Sequence, residues 1–505
     1  MKVCLINPTK TRIPGSNFIS KVIDVGIPMG VLQIAAVLEK NNYKVDVIDC
    51  LVDGNPIVQN LTENKIRYGM TDGELVNKIK EINPDLIGIS GLFTAQSENV
   101  MLTADAIKKE FPNALIAVGG ADITCRPDDF LKDCKSIDIA VLGEGEYIML
   151  DLMKYLDGKL KLKDVKGIVY RKGDGLVTNP RREFIKNMDE LPLPAYHLVD
   201  MEKYFKLPEK GIYFHRRSKL RSAFIISSRS CPFDCCFCAS HTIMGRGFRA
   251  HSAEYVLEHI RLLVEKYKVE QIYFEDDNFT FDKQRCEHIL DKLIEKNYNL
   301  TIIAPNGVRA DRLDENLILK FKKVGCPFLI VAPESGSPRV LEKVIHKRFD
   351  LNTVLNVAEI CKKVGMPLRA FFVIGFPGET KEDIKMTYNF ALNLIRKYDV
   401  EVGGLMFATP LYGTELYEIA KKNNYLTQEI TPENLSKSLA EGGLIETEDF
   451  NADYLRKINR KFTRKAYLHM VFKRLKHPKK LVSRVIEEPY MIKTMLYKLI
   501  KGHDI

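Results

Sequence analysis

Between residues 231 and 238 the chain reads CPFDCCFC, which puts Cys231, Cys235 and Cys238 at a C-x3-C-x2-C spacing directly after an apolar run at residues 223–226. No other stretch constrains the fold as sharply. Three soft thiolates on one tight loop suit an iron–sulfur cluster or zinc, and the elements on either side must hold that loop rigidly. A closed structural zinc or electron-transfer site takes four protein ligands. With three grouped, one coordination position is left for something other than the protein. His241, three positions after Cys238, keeps an alternative open in which Cys231, Cys235, Cys238 and His241 make a Cys3His zinc site. Cys236 reads as a packed thiol beside the ligands.

The 505 residues leave room for two or three domains of about 150 residues each. Hydrophobic residues at 45% and charged residues at 28% are those of a soluble globular protein, and no run approaches the roughly 18 apolar residues of a membrane span. The first residues, MKVCLINPT, carry one lysine and a strand-like run in place of a long apolar segment with a cleavage site. Eleven cysteines scattered through the chain argue against a secreted disulfide framework, so a reducing, anaerobic cytoplasmic setting is expected. Residues 451–505 hold 15 Lys or Arg against 4 Asp or Glu, whereas residues 1–450 hold 61 against 62, so the net charge of +10 belongs to the C-terminal region.

Residues 1–156 alternate strand signals, at 3–7, 44–49, 85–90, 114–119 and 139–142, with helical periodicity at 29–41, 72–82, 97–111 and 145–156. Such alternation predicts an α/β domain with a doubly wound, Rossmann-like parallel sheet, which binds ligands at the carboxyl ends of its strands. Ser90-Gly91, Gly119-Gly120 and Gly143-Glu144-Gly145-Glu146 follow strands, where small residues either let backbone approach a flat ligand or turn the chain. Residues 157–217 read as a connector, with a hairpin turning at Asp174-Gly175 and the proline-punctuated LPLPAYHLV.

A second series runs from residue 218 to 430. Ser252 can cap a helix over 253–267, and strands are expected at 271–274, 300–304, 328–332, 369–374 and 402–407. They lead into Glu275-Asp276-Asp277-Asn278, into Asn306 and Arg309, into Glu334-Ser335-Gly336-Ser337, into GFPGET at 375–380 and into TPLYGTELY. Strands whose special residues all sit at the carboxyl end predict a partial or full (β/α) barrel. Carboxylates at a strand end are costly to bury without partners, so these should face a ligand. In residues 431–505, a helix over 454–475 carries Leu455, Ile458, Phe462, Ala466 and Met470 on one stripe, and 491–500 is a second amphipathic stretch. These are helices lidding the barrel with a solvated basic face, or a surface drawn to an anionic membrane or another polyanion. Nucleic acid is not expected, because no recognition motif accompanies the charge.

The cysteine loop, followed by FEDDNFTFD, an ESG turn and GFPGET, resembles the signature of the radical S-adenosylmethionine (SAM) enzymes. Pro28-Met29-Gly30, the double glycine and the GEGE turn resemble the cobalamin-binding domain found ahead of many of them. The resemblance implies a 4Fe-4S cluster on Cys231, Cys235 and Cys238, whose open iron chelates SAM and, when reduced, cleaves it to a 5′-deoxyadenosyl radical. It implies SAM contacts from Phe237, Glu275, Asp276, Arg309, Glu334, Ser335, Gly375 and Pro377, and cobalamin contacts from Met29, Gly30, Ser90, Gly119, Gly120, Glu144 and Gly145.

The implied activity is a cobalamin-dependent methyl transfer to an unactivated carbon. One SAM methylates cobalamin, a second supplies the radical that abstracts hydrogen, and the carbon radical takes the methyl group. Relatives that cyclise or couple carbons keep the cofactors without methyl transfer, and a sensor holding cobalamin or zinc without turnover is the alternative outside enzymes. The implied partners are a small-molecule, peptide or lipid substrate and an electron donor such as ferredoxin or flavodoxin. Two departures stand out. The D-x-H-x-x-G motif is absent and no histidine precedes His197, so a histidine from this domain is not expected below the cobalt; and Asp122 stands in GGAD where relatives often have histidine.

Overall fold

Strand Lys2–Asn7 shows how the first domain is built: Val3 and Leu5 point into one buried cluster, Cys4 and Ile6 into another on the opposite face. A strand apolar at four successive positions must be covered on both sides, and helices cover it here. The structure, a computed structural model, describes residues 1–12, 25–62, 65–207 and 220–475. Parallel strands run in the order Lys44–Asp49, Lys2–Asn7, Leu86–Ser90, Ile116–Gly119, Ile139–Val141, and the antiparallel hairpin Ile168–Lys172 and Gly175–Thr178 extends the sheet at one edge. This is the doubly wound order whose strand direction of travel reverses between Lys2–Asn7 and Leu86–Ser90, where such sheets bind ligands.

Helices Met29–Lys40, Asp72–Ile82, Ser97–Glu110 and Gly145–Leu156 fall where the periodicity puts them. Thr71 and Glu74 start the second with a reciprocal capping box. Each of the fully buried residues Leu38, Ile107 and Leu152 contributes about 1.5–3 kcal/mol by leaving water.

Three features differ from the sequence-based expectation. The hairpin of the expected connector completes the first sheet, and its turn is Gly173-Asp174, one residue earlier than expected, because Gly173 takes the left-handed φ of +57°. A separate antiparallel sheet, in the order Lys10–Arg12, Lys65–Gly69, Ile57–Thr62, had no counterpart. The short helices Ala121–Cys125 and Pro127–Asp133 follow the double glycine.

In the second domain Gln271–Phe274 pairs in parallel with Thr301–Ile303, and Leu329–Glu334, Leu368–Ile374 and Leu405–Phe407 form a parallel set. Helices Lys283–Lys296, Glu315–Lys323, Leu351–Val364 and Lys381–Tyr398 separate them, each opened by a side-chain cap from Asp282, Asp314, Asp350 or Thr380. This is the partial-barrel arrangement expected. Helix Ala452–Leu475 buries Leu455, Phe462 and Ala466, with Phe462 edge-on to Tyr388 at 5.8 Å, while Ile458 and Met470 lie at the margin of the stripe. The amphipathic stretch at 491–500 lies outside the described residues.

Among the described residues, one compact unit takes in 1–12, 25–62, 65–207, 220–231 and 239–270, and the other 232–238 and 271–475. No helix among the described residues is long and apolar enough to cross a membrane.

Candidate functional site

Cys231, Cys235 and Cys238 are half-buried, whereas seven of the other cysteines are buried and Cys125 alone shares their exposure. Burial pushes the Cys125 thiol up to about 11 and that of Cys236 up to about 12, so neither is a ready thiolate. Cys236 is instead the anchor of the loop. Its N–H donates to the Ile345 carbonyl at 3.1 Å and its carbonyl accepts from Leu416 N–H at 2.8 Å, while Cys238 N–H closes a turn onto the Cys235 carbonyl at 3.0 Å. The loop aromatics are braced as well. Phe233 carries the Arg309 guanidinium 3.7 Å from its ring centre, and Phe237 lies 5.7 Å from Phe376. Among the described residues no three His, Cys, Asp or Glu side chains are gathered as metal ligands, and His241 sits in helix Ser240–Met244 without completing a Cys3His set. The fit to a cluster therefore lies in the donor type, spacing and exposure of the three thiols.

The carboxyl ends of strands Gln271–Phe274, Thr301–Ile303 and Leu329–Glu334 open on one cavity, lined by Asp277, Asn278, Asn306, Arg309, Pro333 and Lys347. Glu275 and Asp276 stand at its edge, where Asn306 Nδ2 reaches Glu275 Oε2 at 3.3 Å and the Asp276 carbonyl at 3.4 Å. The amide oxygen of Asn278 is buried without a hydrogen-bond partner, which suits a ligand donor. Arg309 is not a free cation. Its Nε and Nη2 grip Asp311 at 2.9 Å each.

Glu334 adopts φ +65°, a conformation costing about 1–3 kcal/mol for a non-glycine residue, and pairs with Lys347 at 2.9 Å. Its neighbour Ser335 is turned the other way, fully buried with its hydroxyl 3.0 Å from Thr387 Oγ1. Ser335 thus ties the turn to helix Lys381–Tyr398. In GFPGET, the N–H groups of Gly375 and Phe376 donate to Glu379 Oε2 at 2.7 and 3.2 Å, leaving Pro377 half-buried at the tip.

In the first domain Ser90, Gly119 and Gly120 meet at adjacent strand ends. Gly91 N–H donates to the Gly119 carbonyl at 2.7 Å, and a Cβ on Gly120, at φ +127°, would lie 2.6 Å from the Gly91 oxygen. Gly120 is required by this close approach of two loops, while a Cβ on Gly119 would crowd Val141 at 3.3 Å. Asp122 is held by Thr94 at 2.7 Å and by Arg126 at 2.9 and 2.7 Å. Met29 and Gly30 head their helix beside a small cavity that Arg229, His251, Tyr255 and His259 also line, and a Cβ on Gly30 would meet nothing within 4 Å. Gly145 instead fits against Ile34, 2.8 Å from where its Cβ would be. Glu144 is buried with its carboxylate on Arg229 and Arg249. Leu92 and Phe93, 54% and 60% exposed, follow Ser90-Gly91 at the same sheet end and were not singled out from sequence. Their signal was a bulky apolar pair placed after a strand-end glycine.

Residues 225–391 match the radical SAM superfamily and residues 18–153 the B12 binding domain. An uncharacterised methyltransferase of Pyrococcus horikoshii is 28% identical over 503 residues, 99% of this chain and 98% of its own. Cytidylyl-2-hydroxyethylphosphonate methyltransferase of Streptomyces wedmorensis is 28% identical over 473 residues, 88% of this chain and 85% of that protein. The cobalamin-dependent SAM radical enzyme OxsB, solved with aqua-cobalamin and SAM bound, shares the fold with a TM-score of 0.65 and 17% identity over 99% of this chain and 73% of that one.

Proposed function

The chain belongs to the radical SAM enzymes that carry a B12-binding domain, and from that membership we propose that it transfers a methyl group to an unactivated carbon of a small-molecule substrate. The observation that carries the reading is the set of three half-buried cysteines at C-x3-C-x2-C spacing in a chain whose other cysteines are, Cys125 apart, buried. When bound, the cluster with SAM supplies a hydrogen-abstracting radical and cobalamin supplies the methyl group.

The protein's part is to bind, orient and exclude water. Cys231, Cys235 and Cys238 hold the cluster. Glu275 and Asp276 accept hydrogen bonds from the SAM ammonium, Glu334 takes the ribose hydroxyls, and Phe237 with the Gly375–Pro377 turn borders the adenine. Ser335 and Arg309 hold the Glu334 turn and the cysteine loop in place. Met29, Gly30, Ser90, Gly119 and Gly120 present backbone to the corrin, and Leu92 and Phe93 shield it from water. A ferredoxin or flavodoxin supplies electrons.

The test is incubation of the anaerobic holoenzyme with a reductant, a cell extract as substrate source, and SAM bearing a deuterated methyl group. Methyl transfer predicts a product carrying the label together with 5′-deoxyadenosine and S-adenosylhomocysteine. Deoxyadenosine with a new but unlabelled product would mean cyclisation or carbon–carbon coupling instead.

Helix Ala452–Leu475 exposes Lys457, Arg460, Lys461, Arg464 and Lys465 along one face, which supports peripheral contact with an anionic membrane. Co-sedimentation with phosphatidylglycerol vesicles, lost in high salt and absent with phosphatidylcholine, is the expected behaviour; equal recovery with both lipids would remove the idea.

A further inference from the structure

Both carboxylates of the GEGE turn are engaged within the protein. Glu144 Oε1 pairs with Arg229 Nη1 at 2.9 Å and with Arg249 Nη1 at 2.7 Å, and Glu144 Oε2 accepts from Ile185 N–H at 2.7 Å. Glu146 Oε1 takes Arg229 Nη2 at 2.5 Å. None of the four side chains is more than 14% exposed. The two arginines stand directly opposite each other in the antiparallel ladder Ser228↔Ala250, Arg229↔Arg249, so their like charges need the two acids to coexist there. Arg249 also donates to the carbonyls of Ile185 at 2.7 Å and Met244 at 2.8 Å. Buried ions are tolerated when paired and fully hydrogen-bonded, and such a network resists displacement of any one member.

Two residues after Arg229 the chain reaches Cys231. The residue between them, Ser230, has φ +69° and donates its hydroxyl to the Gly245 carbonyl. A serine in the left-handed region persists only where its surroundings over-determine it. The backbone entering the cysteine loop is therefore fixed twice, by the guanidinium clamp and by the left-handed turn, and Cys231 inherits that placement.

We propose that Arg229 is a positioning residue for the cluster, and that Glu144 and Glu146 serve to anchor the segment bearing Cys231 and do not contact cobalamin. The inference rests on the reading of Cys231 as a cluster ligand. Groups that orient metal ligands typically change metal retention about 10–100-fold when removed.

The test uses the full-length protein, purified without oxygen and reconstituted with iron, sulfide and hydroxocobalamin, as wild type, Glu146→Gln, Arg229→Gln and Arg229→Lys. Iron retention against a chelator, the EPR spectrum of the reduced cluster with and without SAM, and corrin absorbance are read on each. Arg229→Gln and Glu146→Gln are expected to keep wild-type corrin content, to lose iron about 10-fold more readily and to show an altered SAM-bound EPR signal, with Arg229→Lys in between. Iron retention and spectra unchanged in every variant, or corrin lost from Glu146→Gln, would overturn the proposal. Glu146→Gln leaves the Glu144–Arg229 pair in place and decides the matter if the arginine variants fail to fold. A wild type that takes up no iron would instead refute the cluster reading itself, so the two failures are distinguishable.

Discussion

The guanidinium of Arg309 lies 3.7 Å from the ring centre of Phe233, inside the cysteine loop, while the same group holds Asp311 through two hydrogen bonds of 2.9 Å. A cation over an aromatic face contributes about 0.5–2 kcal/mol, and only the planar arginine fork can stack and grip a carboxylate together. Arg309→Lys should therefore lower SAM cleavage several-fold with little change in melting temperature. Deoxyadenosine formation and a thermal melt check this. Unchanged cleavage would show that the loop does not depend on the stack.

Cys236 and Cys235 are neighbours with opposite fates. Cys236 is buried with its backbone engaged on both sides, whereas Cys235 is half-buried. Cys236→Ala should cost about 1–2 kcal/mol of stability through the small void it leaves and retain iron. Cys235→Ala should lose iron and fold normally. Iron analysis beside denaturant melts separates the two, and iron loss from Cys236→Ala would put the wrong thiol in the cluster.

Glu379 is fully buried behind the Gly375 turn, and burial pushes its carboxyl up from 4.5 to about 8. The folded protein then binds this proton more tightly than the unfolded chain does. The group's contribution to stability is greatest below the unfolded value and falls as pH rises through the folded one, by at most about 1.4 kcal/mol per pH unit. Glu379→Gln keeps an acceptor for Gly375 and Phe376 and stays neutral. Its stability relative to wild type should rise steadily between about pH 5 and pH 8 and level off above that, as read by urea unfolding. Parallel curves for the two proteins would contradict the assignment.

Tyr204 donates its hydroxyl to the buried carboxylate of Asp49 at 2.5 Å, which also accepts from Asn7 Nδ2 and Leu51 N–H at 2.9 Å each. Burial pushes Asp49 up to about 6, so at neutral pH it is a charge held by its donors. Tyr204→Phe should destabilise the protein by about 1–3 kcal/mol at neutral pH and by less near pH 5, where Asp49 is protonated. Denaturant unfolding at the two pH values measures the difference; an equal loss at both would mean that packing, not the charge, is at stake.

What could be read from the chain was what local pattern determines. The parallel strands Lys2–Asn7, Leu86–Ser90, Ile116–Gly119 and Ile139–Val141 carry short apolar runs between helical periods, and Ser252 announces its helix by capping chemistry that acts over three residues. The accessory sheet was not legible because its edge strand, IVQNLT, is exposed along most of its length and has no buried face to impose a period. The site divides in the same way. The cysteine spacing is local and visible. That Glu144 would meet Arg229, 85 residues away, or Ser335 turn to Thr387, 52 residues away, depends on tertiary packing that no short window contains.

The central claim is that one chain carries both a cluster and cobalamin. It is tested most directly by the iron, sulfide and corrin content of protein purified without oxygen from cells supplied with hydroxocobalamin, beside a Cys231→Ala, Cys235→Ala, Cys238→Ala triple variant. The account predicts about four irons and one corrin per chain, with the iron alone lost from the variant. Zinc in place of iron, or a full iron complement in the variant, would contradict it.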